Sequence, residues 1–373
     1  MIPFIDLKGQ YKRIEENVDN AIKKVLMHGQ YILGPEVAEL EKTLADFAGT
    51  KYCLACSSGT DALLMAMMAM DFKPGDAVFT TPFTFFATVE TIALTGATPV
   101  FSDIDEKTYN MDPAKLRAAI EKVLKEGKLT PKAIVAVDIF GQCADYDSIN
   151  AIAEEFGIPV IQDACQSMGA IYKGKRAPSH GKIGCTSFFP AKPLGCYGDG
   201  GAVFTDDKEL YDAMFSILVH GRGGDKYDNI RLGLNARLDT IQAAILLEKC
   251  KIFEEEIQLR QKVAAWYREN LAGLVEVPYI AEDNLSVYAQ YCPTSPKFAA
   301  IQEALKANDI PSARYYPIPM HLLKAMEYLG YKKGDMPICE KISEIIFALP
   351  MHPYLEEETI KKIASIVKNT VEA

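Results

Sequence analysis

Two short segments carry side chains that could bind a charged ligand. The segment SGTD at 58–61 lies between a β-rich run that ends at Cys56 and a helical pattern that begins near Ala62. A helix N-terminus presents free N–H groups and a positive dipole, and glycine allows close backbone approach, so a phosphate could bind here. Taken alone, the same residues would form an ordinary helix N-cap. The choice depends on residues elsewhere in the chain.

The second segment begins with an acidic residue, Asp163, which directly follows the apolar run 158–162. Asp163 stands where the ligands of parallel sheets gather, and a carboxylate so placed is costly unless a cation pairs with it. A protonated pyridine nitrogen would supply that cation, and the pair would keep the ring a good electron sink. Gln166 lies three residues further on and could reach a ring hydroxyl. The simpler alternative is an aspartate that caps a helix.

A lysine in a loop rich in proline and glycine completes the set. Lys192 lies between Pro190 and Pro193 after a β-rich run, and GDGG follows at 198–201. Proline and glycine fix the shape of such a loop, whereas most lysines are solvated at the surface. Desolvation near cationic groups would lower the pKa of this amine, which could then form an imine and transfer protons. The phosphate loop, the aspartate and the lysine together point to one shared site.

The elements that must position these residues alternate in type. The β-rich runs lie at 52–56, 77–81, 98–102, 133–138, 158–162, 184–189 and 200–205. Helical patterns lie between them at 62–70, 84–94, 113–125 and 147–156. Such alternation predicts an α/β fold, a doubly wound domain with a mainly parallel central sheet.

The remaining segments predict helices before this domain and a second domain after it. Apolar helical stripes run through 14–26 and 37–47, and a long helical pattern covers 238–266. Further strands are expected near 286–293 and 312–316, and further helices near 296–307 and 356–368. We therefore predict a large domain with N-terminal helices over 1–250 and a smaller α+β C-terminal domain over 251–373.

Composition excludes several classes of protein. The 373 residues suit one large domain with a smaller one, and the formal net charge of −10 disfavours a nucleic-acid partner. No apolar run reaches the roughly 18 residues of a membrane span, and the N-terminus lacks the zones of a secretory signal. The nine cysteines are odd in number and scattered along a long chain, which disfavours a disulfide framework and a zinc site. We expect a cytoplasmic protein with no metal and no membrane partner.

The chain resembles the DegT/DnrJ/EryC1/StrS family of sugar aminotransferases, within the fold-type I enzymes that use pyridoxal 5'-phosphate. The resemblance covers nearly the whole chain. Its motifs here are GQYILGP at 29–35, SGTDAL at 58–63, DACQS at 163–167, SFFPAK at 187–192 and NARLD at 235–239. One departure is Gln162, where the family commonly has an acid. Its side chain should point away from that of Asp163, so we expect catalysis to be unaffected.

The resemblance implies pyridoxal 5'-phosphate as the cofactor and assigns the residues that hold it. Phosphate contacts are expected from Gly59, Thr60 and Ser187. Phe85 is in the aromatic position that stacks on the pyridine ring and excludes water. Asn235 is the family's phosphate ligand from the neighbouring subunit. That assignment implies a homodimer with both active sites at the interface.

The same resemblance implies the catalytic roles. Asp163 takes the pyridine-nitrogen role and Gln166 the ring-hydroxyl role. Lys192 carries the cofactor as a Schiff base and moves the proton in both half-reactions. A dehydratase of the same fold usually has histidine at the Schiff-base position, so Lys192 argues against that activity.

The implied reaction is transamination of a UDP-linked keto sugar with glutamate as the donor. The stretches FPAKPLGCYGD at 189–199 and YPIPM at 316–320 favour UDP-2-acetamido-2-deoxy-3-keto-glucuronate, as in the synthesis of bacterial surface polysaccharides. A 4-keto nucleotide-sugar aminotransferase would use the same machinery. The alternative from another class is a regulator that binds pyridoxal phosphate without turnover.

Three residues are candidates for substrate binding. A uronate carboxylate calls for a cation that makes a charge-assisted contact, and Arg237 lies two residues beyond Asn235. The alternative for Arg237 is a structural ion pair with Asp239. Tyr316 and His321, in the predicted small domain, are expected to help close over the sugar.

Overall fold

Helices and strands alternate along residues 2–225 and 227–373, which are the residues that this computed structural model describes. The α-helices are α1 (Leu7–His28), α2 (Pro35–Ala48), α3 (Gly59–Ala69), α4 (Phe86–Leu94), α5 (Pro113–Glu126), α6 (Tyr146–Phe156), α7 (Lys208–Leu218), α8 (Thr240–Leu271), α9 (Phe298–Ala307), α10 (Pro337–Ile345) and α11 (Glu357–Glu372). The strands are β1 (Tyr52–Cys56), β2 (Asp76–Thr80), β3 (Thr98–Phe101), β4 (Thr130–Val137), β5 (Val160–Asp163), β6 (Ile171–Tyr172), β7 (Lys175–Arg176), β8 (Ile183–Ser187), β9 (Gly201–Thr205) and β10 (Asn284–Leu285). Short 3-10 turns lie at Ile139–Gly141, Met320–Leu322 and Lys324–Leu329.

The central sheet has seven strands in the order β1-β9-β8-β5-β4-β2-β3. Pairing is parallel from β8 through β5, β4 and β2 to β3, and β9 is antiparallel to both of its neighbours. The predicted α/β fold with a mainly parallel sheet is therefore confirmed. Because the carboxyl ends of parallel strands meet at one edge, the residues at the ends of β4, β5 and β8 come close together.

Helices cover both faces of this sheet, which explains why its strands read as continuous apolar runs. Every residue of β2 and of β9 is buried. One apolar cluster joins the sheet to α2, α5, α6 and α8, and a second joins it to α3 and α7. A strand buried on both faces cannot alternate polar and apolar residues, so the sequence signal is a run.

The C-terminal part differs from the prediction. The expected helices near 296–307 and 356–368 are confirmed as α9 and α11. The expected strands near 286–293 and 312–316 are wrong, because these segments make only isolated bridges, such as Tyr291 with Leu349 and Ala313 with Ala348. Prolines, which donate no hydrogen bond to a ladder, limit both segments: Pro293 ends the first, and Pro311 and Pro317 flank the second.

Helix α8 runs through the predicted boundary between 250 and 251. Its first half packs with α1 and α2, and its last turns share an apolar cluster with α9 and α11. The division into two domains stays a prediction, with α8 common to both parts. Within the described part of the chain, no helix has the length and apolar character needed to cross a membrane.

Candidate active site

Helix α3 begins at the predicted phosphate loop. Ser58 is its N-cap, and the Ser58 hydroxyl accepts a hydrogen bond of 3.0 Å from the backbone N–H of Asp61. Gly59 and Thr60 follow in the first turn, where backbone N–H groups have no acceptor within the helix. The residues thus form an ordinary N-cap and, at the same time, aim free donors away from the helix toward a potential anion.

Gly59 packs against the end of β8 so tightly that no side chain fits. A Cβ atom on Gly59 would lie 2.6 Å from the Cβ of Ser187 and 2.9 Å from the Sγ of Cys165. The Ser187 hydroxyl oxygen accepts a hydrogen bond of 3.2 Å from the N–H of Phe189. The structure therefore brings together Gly59 and Ser187, two of the three residues expected to bind phosphate within this chain.

Asp163 ends β5 with only 4% of its surface exposed. Its Oδ2 accepts a hydrogen bond of 2.7 Å from the Thr88 hydroxyl, and its Oδ1 accepts one of 3.2 Å from the N–H of Cys165. The Thr88 hydroxyl also lies 2.8 Å from that of Thr84. A carboxylate oxygen has two lone pairs, so Asp163 can still accept a hydrogen bond from a protonated ring nitrogen.

Gln166 is held by hydrogen bonds at both ends of its amide. Its Oε1 accepts a bond of 2.7 Å from the N–H of Phe140, and its Nε2 donates one of 3.0 Å to the Tyr316 hydroxyl. Phe140 has a φ of +57°, in the left-handed region that few side chains adopt. Burial raises the pKa of Tyr316, which therefore stays protonated. The structure thus joins Tyr316, a predicted substrate residue, to Gln166, a predicted cofactor residue.

The Lys192 amine has an unusual environment for a lysine. The backbone N–H of Lys192 donates a hydrogen bond of 2.8 Å to the carbonyl of Phe189, and this bond closes a tight turn. Burial lowers the pKa of Lys192, and the nearby Cys165 and Asp163 partly oppose that effect. A larger share of free amine is therefore present at neutral pH than on a surface lysine. This is the property that a nucleophilic lysine needs.

A second buried lysine, which the sequence did not single out, supports the same loop. Lys249 on α8 donates a hydrogen bond of 2.6 Å to the carbonyl of Gly195, and its Nζ lies 4.0 Å from the centroid of the Tyr197 ring. Burial lowers the pKa of Lys249 to about 8. Lys249 therefore anchors the loop that carries Lys192.

Phe85 presents the aromatic surface that the sequence predicts near the ring. It immediately precedes α4, the helix that carries Thr88, and 57% of its surface is exposed. The exposed phenyl ring therefore offers a flat apolar face at the start of this helix. A flat heterocycle would stack on such a face.

Asn235 and Arg237 line an open cleft of about 460 Å³, together with Ser57 and Asp199. Arg237 donates a hydrogen bond through one terminal nitrogen to the Asn235 side-chain carbonyl. Its Nε is buried and, among the described residues, has no hydrogen-bond partner. A guanidinium has five N–H donors, so Arg237 has donors left for a further acceptor beside its bond to Asn235. Whether that acceptor is a substrate stays a prediction.

His321, the third predicted substrate residue, is buried in the single chain. Only 1% of its surface is exposed, and its Nε2 lies 3.0 Å from the Oε1 of Glu340. Its ring makes edge contacts with Phe101 and Tyr331, at centroid distances of 6.2 and 6.3 Å. The His321 side chain offers almost no surface to a ligand in this chain, and its contribution to sugar binding stays a prediction.

The donor set fits pyridoxal phosphate. The N-terminus of α3, held against Ser187 at the end of β8, suits a phosphate group, and the buried Asp163 carboxylate suits a protonated pyridine nitrogen. The exposed ring of Phe85 suits a flat heterocycle. Lys192 has a lowered pKa and suits covalent attachment of an aldehyde. Among the described residues, no cluster of His, Cys, Asp or Glu could hold a metal ion.

Sequence reasoning missed the supporting residues Thr88, Asp138 and Lys249. The spacing of Thr84 and Thr88, four residues apart at the start of a helix, could have indicated two hydroxyls on one face. Asp138 follows the apolar run of β4 as Asp163 completes that of β5, so its position at a strand end was also a usable signal.

Comparison with known proteins gives consistent results. A family model for the DegT/DnrJ/EryC1/StrS aminotransferase family matches residues 12–368. A UDP-2-acetamido-2-deoxy-3-oxo-D-glucuronate aminotransferase of Pseudomonas aeruginosa is 53% identical over 372 residues, which cover 99% of this chain and 100% of that protein. A crystal structure of a DegT DnrJ EryC1 StrS aminotransferase from Brucella abortus is 48% identical with a TM-score of 0.96, and the match covers 99% of both chains. The crystal structure of NtdA from Bacillus subtilis, with bound cofactor PMP, is 28% identical with a TM-score of 0.85, over 96% of this chain and 82% of that chain.

Proposed function

The chain belongs to the DegT/DnrJ/EryC1/StrS aminotransferase family, and we propose that it transfers an amino group from glutamate to UDP-2-acetamido-2-deoxy-3-keto-glucuronate. The cofactor is pyridoxal 5'-phosphate. The observation that carries the proposal is the Lys192 amine, whose pKa is lowered by burial, beside the buried carboxylate of Asp163. The full-length similarity to the Pseudomonas aeruginosa enzyme supports the choice of acceptor.

Each residue of the site has one task in the proposed reaction. Pyridoxal phosphate, when bound, withdraws electrons from the substrate carbon that loses or gains a proton. Gly59, Thr60 and Ser187 hold the phosphate group. Asp163 keeps the ring nitrogen protonated, because a buried carboxylate without a cation is costly. Lys192 holds the aldehyde and moves the proton.

Gln166 and Phe85 orient the ring in this proposal. The Gln166 amide, fixed at both ends, offers its remaining N–H to the ring hydroxyl. Phe85 covers one face of the ring and excludes water from it. Tyr316 extends the same surface toward the sugar.

We propose that the protein is a homodimer in which Asn235 binds the phosphate of the partner's cofactor. Asn235 is exposed in the single chain, and exposed apolar side chains lie close to it in sequence. These include Leu232, which is 87% exposed, and Ile230. Large apolar side chains at a surface support an interface, since leaving them in water is unfavourable.

The nine cysteines are free thiols, which fits the proposed cytoplasmic location.

Arg237 is the proposed ligand of the substrate carboxylate. We expect Arg237→Lys to lower kcat/KM for the acceptor by about tenfold or more, because a point charge does not replace a planar guanidinium. Cofactor binding should be unchanged. The donor half-reaction must be timed separately, because glutamate also carries carboxylates. Equal losses in both half-reactions would make Arg237 a shared carboxylate ligand, and no loss in either would leave it structural.

A spectral titration with glutamate tests the proposed function. Glutamate alone should convert the absorption of the bound cofactor from the pyridoxal to the pyridoxamine form, with release of one 2-oxoglutarate per site. In the same titration, Lys192→Ala should convert the cofactor far more slowly than the parent protein does. A parent protein that binds pyridoxal phosphate and shows no conversion with any amino donor would instead be a regulator without turnover.

A further inference from the structure

A buried carboxylate lies beneath the candidate active site and is not used by the proposed reaction. Asp138 follows β4, and none of its surface is exposed. Its Oδ1 accepts hydrogen bonds of 3.0 Å from the N–H of Ala144 and 2.7 Å from the Tyr146 hydroxyl. Its Oδ2 accepts bonds of 2.7 Å from Gln162 Nε2 and 2.6 Å from the Ser167 hydroxyl. Both oxygens therefore have two donors each.

None of these four donors carries a charge. Burial raises the pKa of Asp138 to about 6, and the hydrogen bonds oppose that rise. A buried carboxylate is costly, and removing any one partner leaves part of that cost uncompensated. A protein that needed only stability could fill this position with an apolar side chain, so the geometry of the four bonds calls for a further explanation.

The hydrogen bonds of Asp138 join the two loops that position Gln166. On the β5 side, Ser167 is the next residue after Gln166. On the β4 side, the 3-10 turn Ile139–Gly141 begins directly after Asp138, and the N–H of Phe140 in that turn donates to Gln166 Oε1 at 2.7 Å. The backbone N–H of Asp138 also donates a bond of 3.0 Å to the carbonyl of Asp163.

We infer that Asp138 is a positioning residue, whose buried carboxylate locks the loops after β4 and β5 together and so fixes Gln166 and Asp163 against the cofactor ring. This inference rests on the proposed cofactor site. Asp138 touches neither cofactor nor substrate, and it acts through Ser167 and through the turn that carries Phe140.

Gln162 is the uncharged neighbour of Asp138 in this hydrogen-bond network, so the pair of side chains carries a single negative charge. Its Nε2 donates to Asp138, and its Oε1 accepts a bond of 2.8 Å from the N–H of His180. An acid at position 162 would place two carboxylates within hydrogen-bond distance in a buried region, where both cannot ionise. The charge could however exchange places, because an asparagine at 138 can donate to a glutamate at 162.

The test compares three variants: Asp138→Asn, Gln162→Glu, and the double variant that carries both changes. For each purified protein we would measure the midpoint of urea unfolding of the apo form and the dissociation constant for pyridoxal phosphate. We would also measure the pH at which the absorbance of the bound cofactor titrates. Asp138→Asn should raise the dissociation constant for pyridoxal phosphate by about tenfold, which is the loss of affinity expected from one hydrogen bond to an ionised group. The same variant should shift the pH at which the absorbance of the bound cofactor titrates. The double variant should bring both the dissociation constant and the titration pH most of the way back to the parent values.

Asp103→Asn is the matched control for loss of stability. Asp103 is also buried, near the end of β3, and its carboxylate accepts hydrogen bonds of 2.9 Å from the N–H groups of Ile338 and Cys339. The change should lower the unfolding midpoint without moving the cofactor absorbance. Asp163→Asn is the positive control, and it should move the absorbance titration because it replaces the proposed partner of the ring nitrogen.

The outcomes separate this inference from the proposed function. If Asp163→Asn leaves the absorbance titration unchanged, the cofactor site is wrong. If Asp163→Asn moves it and a folded Asp138→Asn does not, only the positioning role is wrong. If Asp138→Asn fails to fold, the double variant decides: parent-like cofactor binding supports the inference. A double variant that folds but binds pyridoxal phosphate weakly, or that does not fold, overturns the positioning role. The reason is that a single carboxylate, at position 138 or at position 162, should be enough to hold the two loops together.

Discussion

Lys192 owes its reactive character to its surroundings. Burial lowers the pKa of its amine, while the nearby Cys165 and Asp163 partly oppose that effect. Lys249 has a lowered pKa too, about 8, but its amine is bound to the carbonyl of Gly195. The two lysines therefore differ in whether the amine is available to react, and this difference can be measured.

Borohydride reduction of the holoenzyme should attach the pyridoxyl group to Lys192 alone. Lys249 provides an internal control, because a lowered pKa by itself would make it equally reactive. Peptide mapping by mass spectrometry should find the label in the peptide with Lys192 and none in that with Lys249. Label on any other lysine would refute the assignment.

The rate of cofactor incorporation into the apoenzyme should depend on pH with a midpoint below the ordinary lysine pKa of about 10.4. The reason is that only the free amine attacks the aldehyde. Below the lowered pKa of Lys192 the amine is protonated and incorporation is slow, and the rate rises as pH passes through that value. Nα-acetyl-lysine with pyridoxal phosphate gives the reference. Equal midpoints for protein and reference would show that burial does not activate Lys192.

The sequence predicts the reactive residues better than their partners. Lys192, Asp163 and Gln166 are recognisable from residue type and from position after a strand. Thr88 and Tyr316 are not assignable as their partners, because each comes from a distant segment, and the Thr88–Asp163 bond joins residues 75 positions apart. Such pairings depend on how the sheet is assembled, which local patterns do not encode.

Strands and helices place these residues with little help from loops. Asp163 and Ser187 each end a parallel strand, and Thr88 lies on the first turn of α4. Gln166, Tyr316 and Lys192 are the exceptions, because they lie outside the helices and strands. The loop that carries Lys192 is supported by α8 through Lys249. An active site on rigid elements needs such an anchor wherever a loop carries the reactive group.

Lys249→Met should loosen that loop. It leaves the buried carbonyl of Gly195 without its donor, at a cost of about 1–3 kcal/mol, and cofactor release should be faster. Lys251→Met is the matched control, because Lys251 lies two residues further along α8 and is exposed, and its amine forms an ion pair with Glu248. That control should lie within about 0.5 kcal/mol of the parent. Equal unfolding midpoints and release rates for the two variants would contradict the anchoring role.

The sheet was predictable because its strands are buried on both faces and bounded by turns. The predicted runs 52–56 and 200–205 agree with β1 and β9 within one residue. The errors lie in the C-terminal part, where segments pair through single bridges next to prolines. A short apolar run there has the composition of a strand without the neighbours that would extend a ladder.

The whole molecule presents surfaces that a single chain does not explain. Tyr31, Ile32 and Leu33 are exposed in the segment before α2, as are Ile230 and Leu232 before Asn235. In the proposed dimer, these side chains meet the partner, and each site takes Asn235 from the other subunit. Such a shared site has a consequence that mixed dimers reveal.

Mixing inactive Lys192→Ala chains with inactive Asn235→Ala chains should restore activity in purified heterodimers. One of the two composite sites then has both residues intact, so we expect about half of the parent activity per dimer at most. Parent homodimers purified through the same tags give the scale. No recovery, although each variant is folded and inactive alone, would show that Asn235 acts within its own subunit.

The most direct test of the account is a comparison of acceptors with the parent enzyme and glutamate. UDP-2-acetamido-2-deoxy-3-keto-glucuronate and a UDP-linked neutral 4-keto sugar are supplied separately, and mass spectrometry follows the aminated products over time. We expect a higher kcat/KM for the 3-keto uronate, with a difference that shrinks in Arg237→Lys. Faster amination of the neutral 4-keto sugar by the parent enzyme would contradict the proposed substrate.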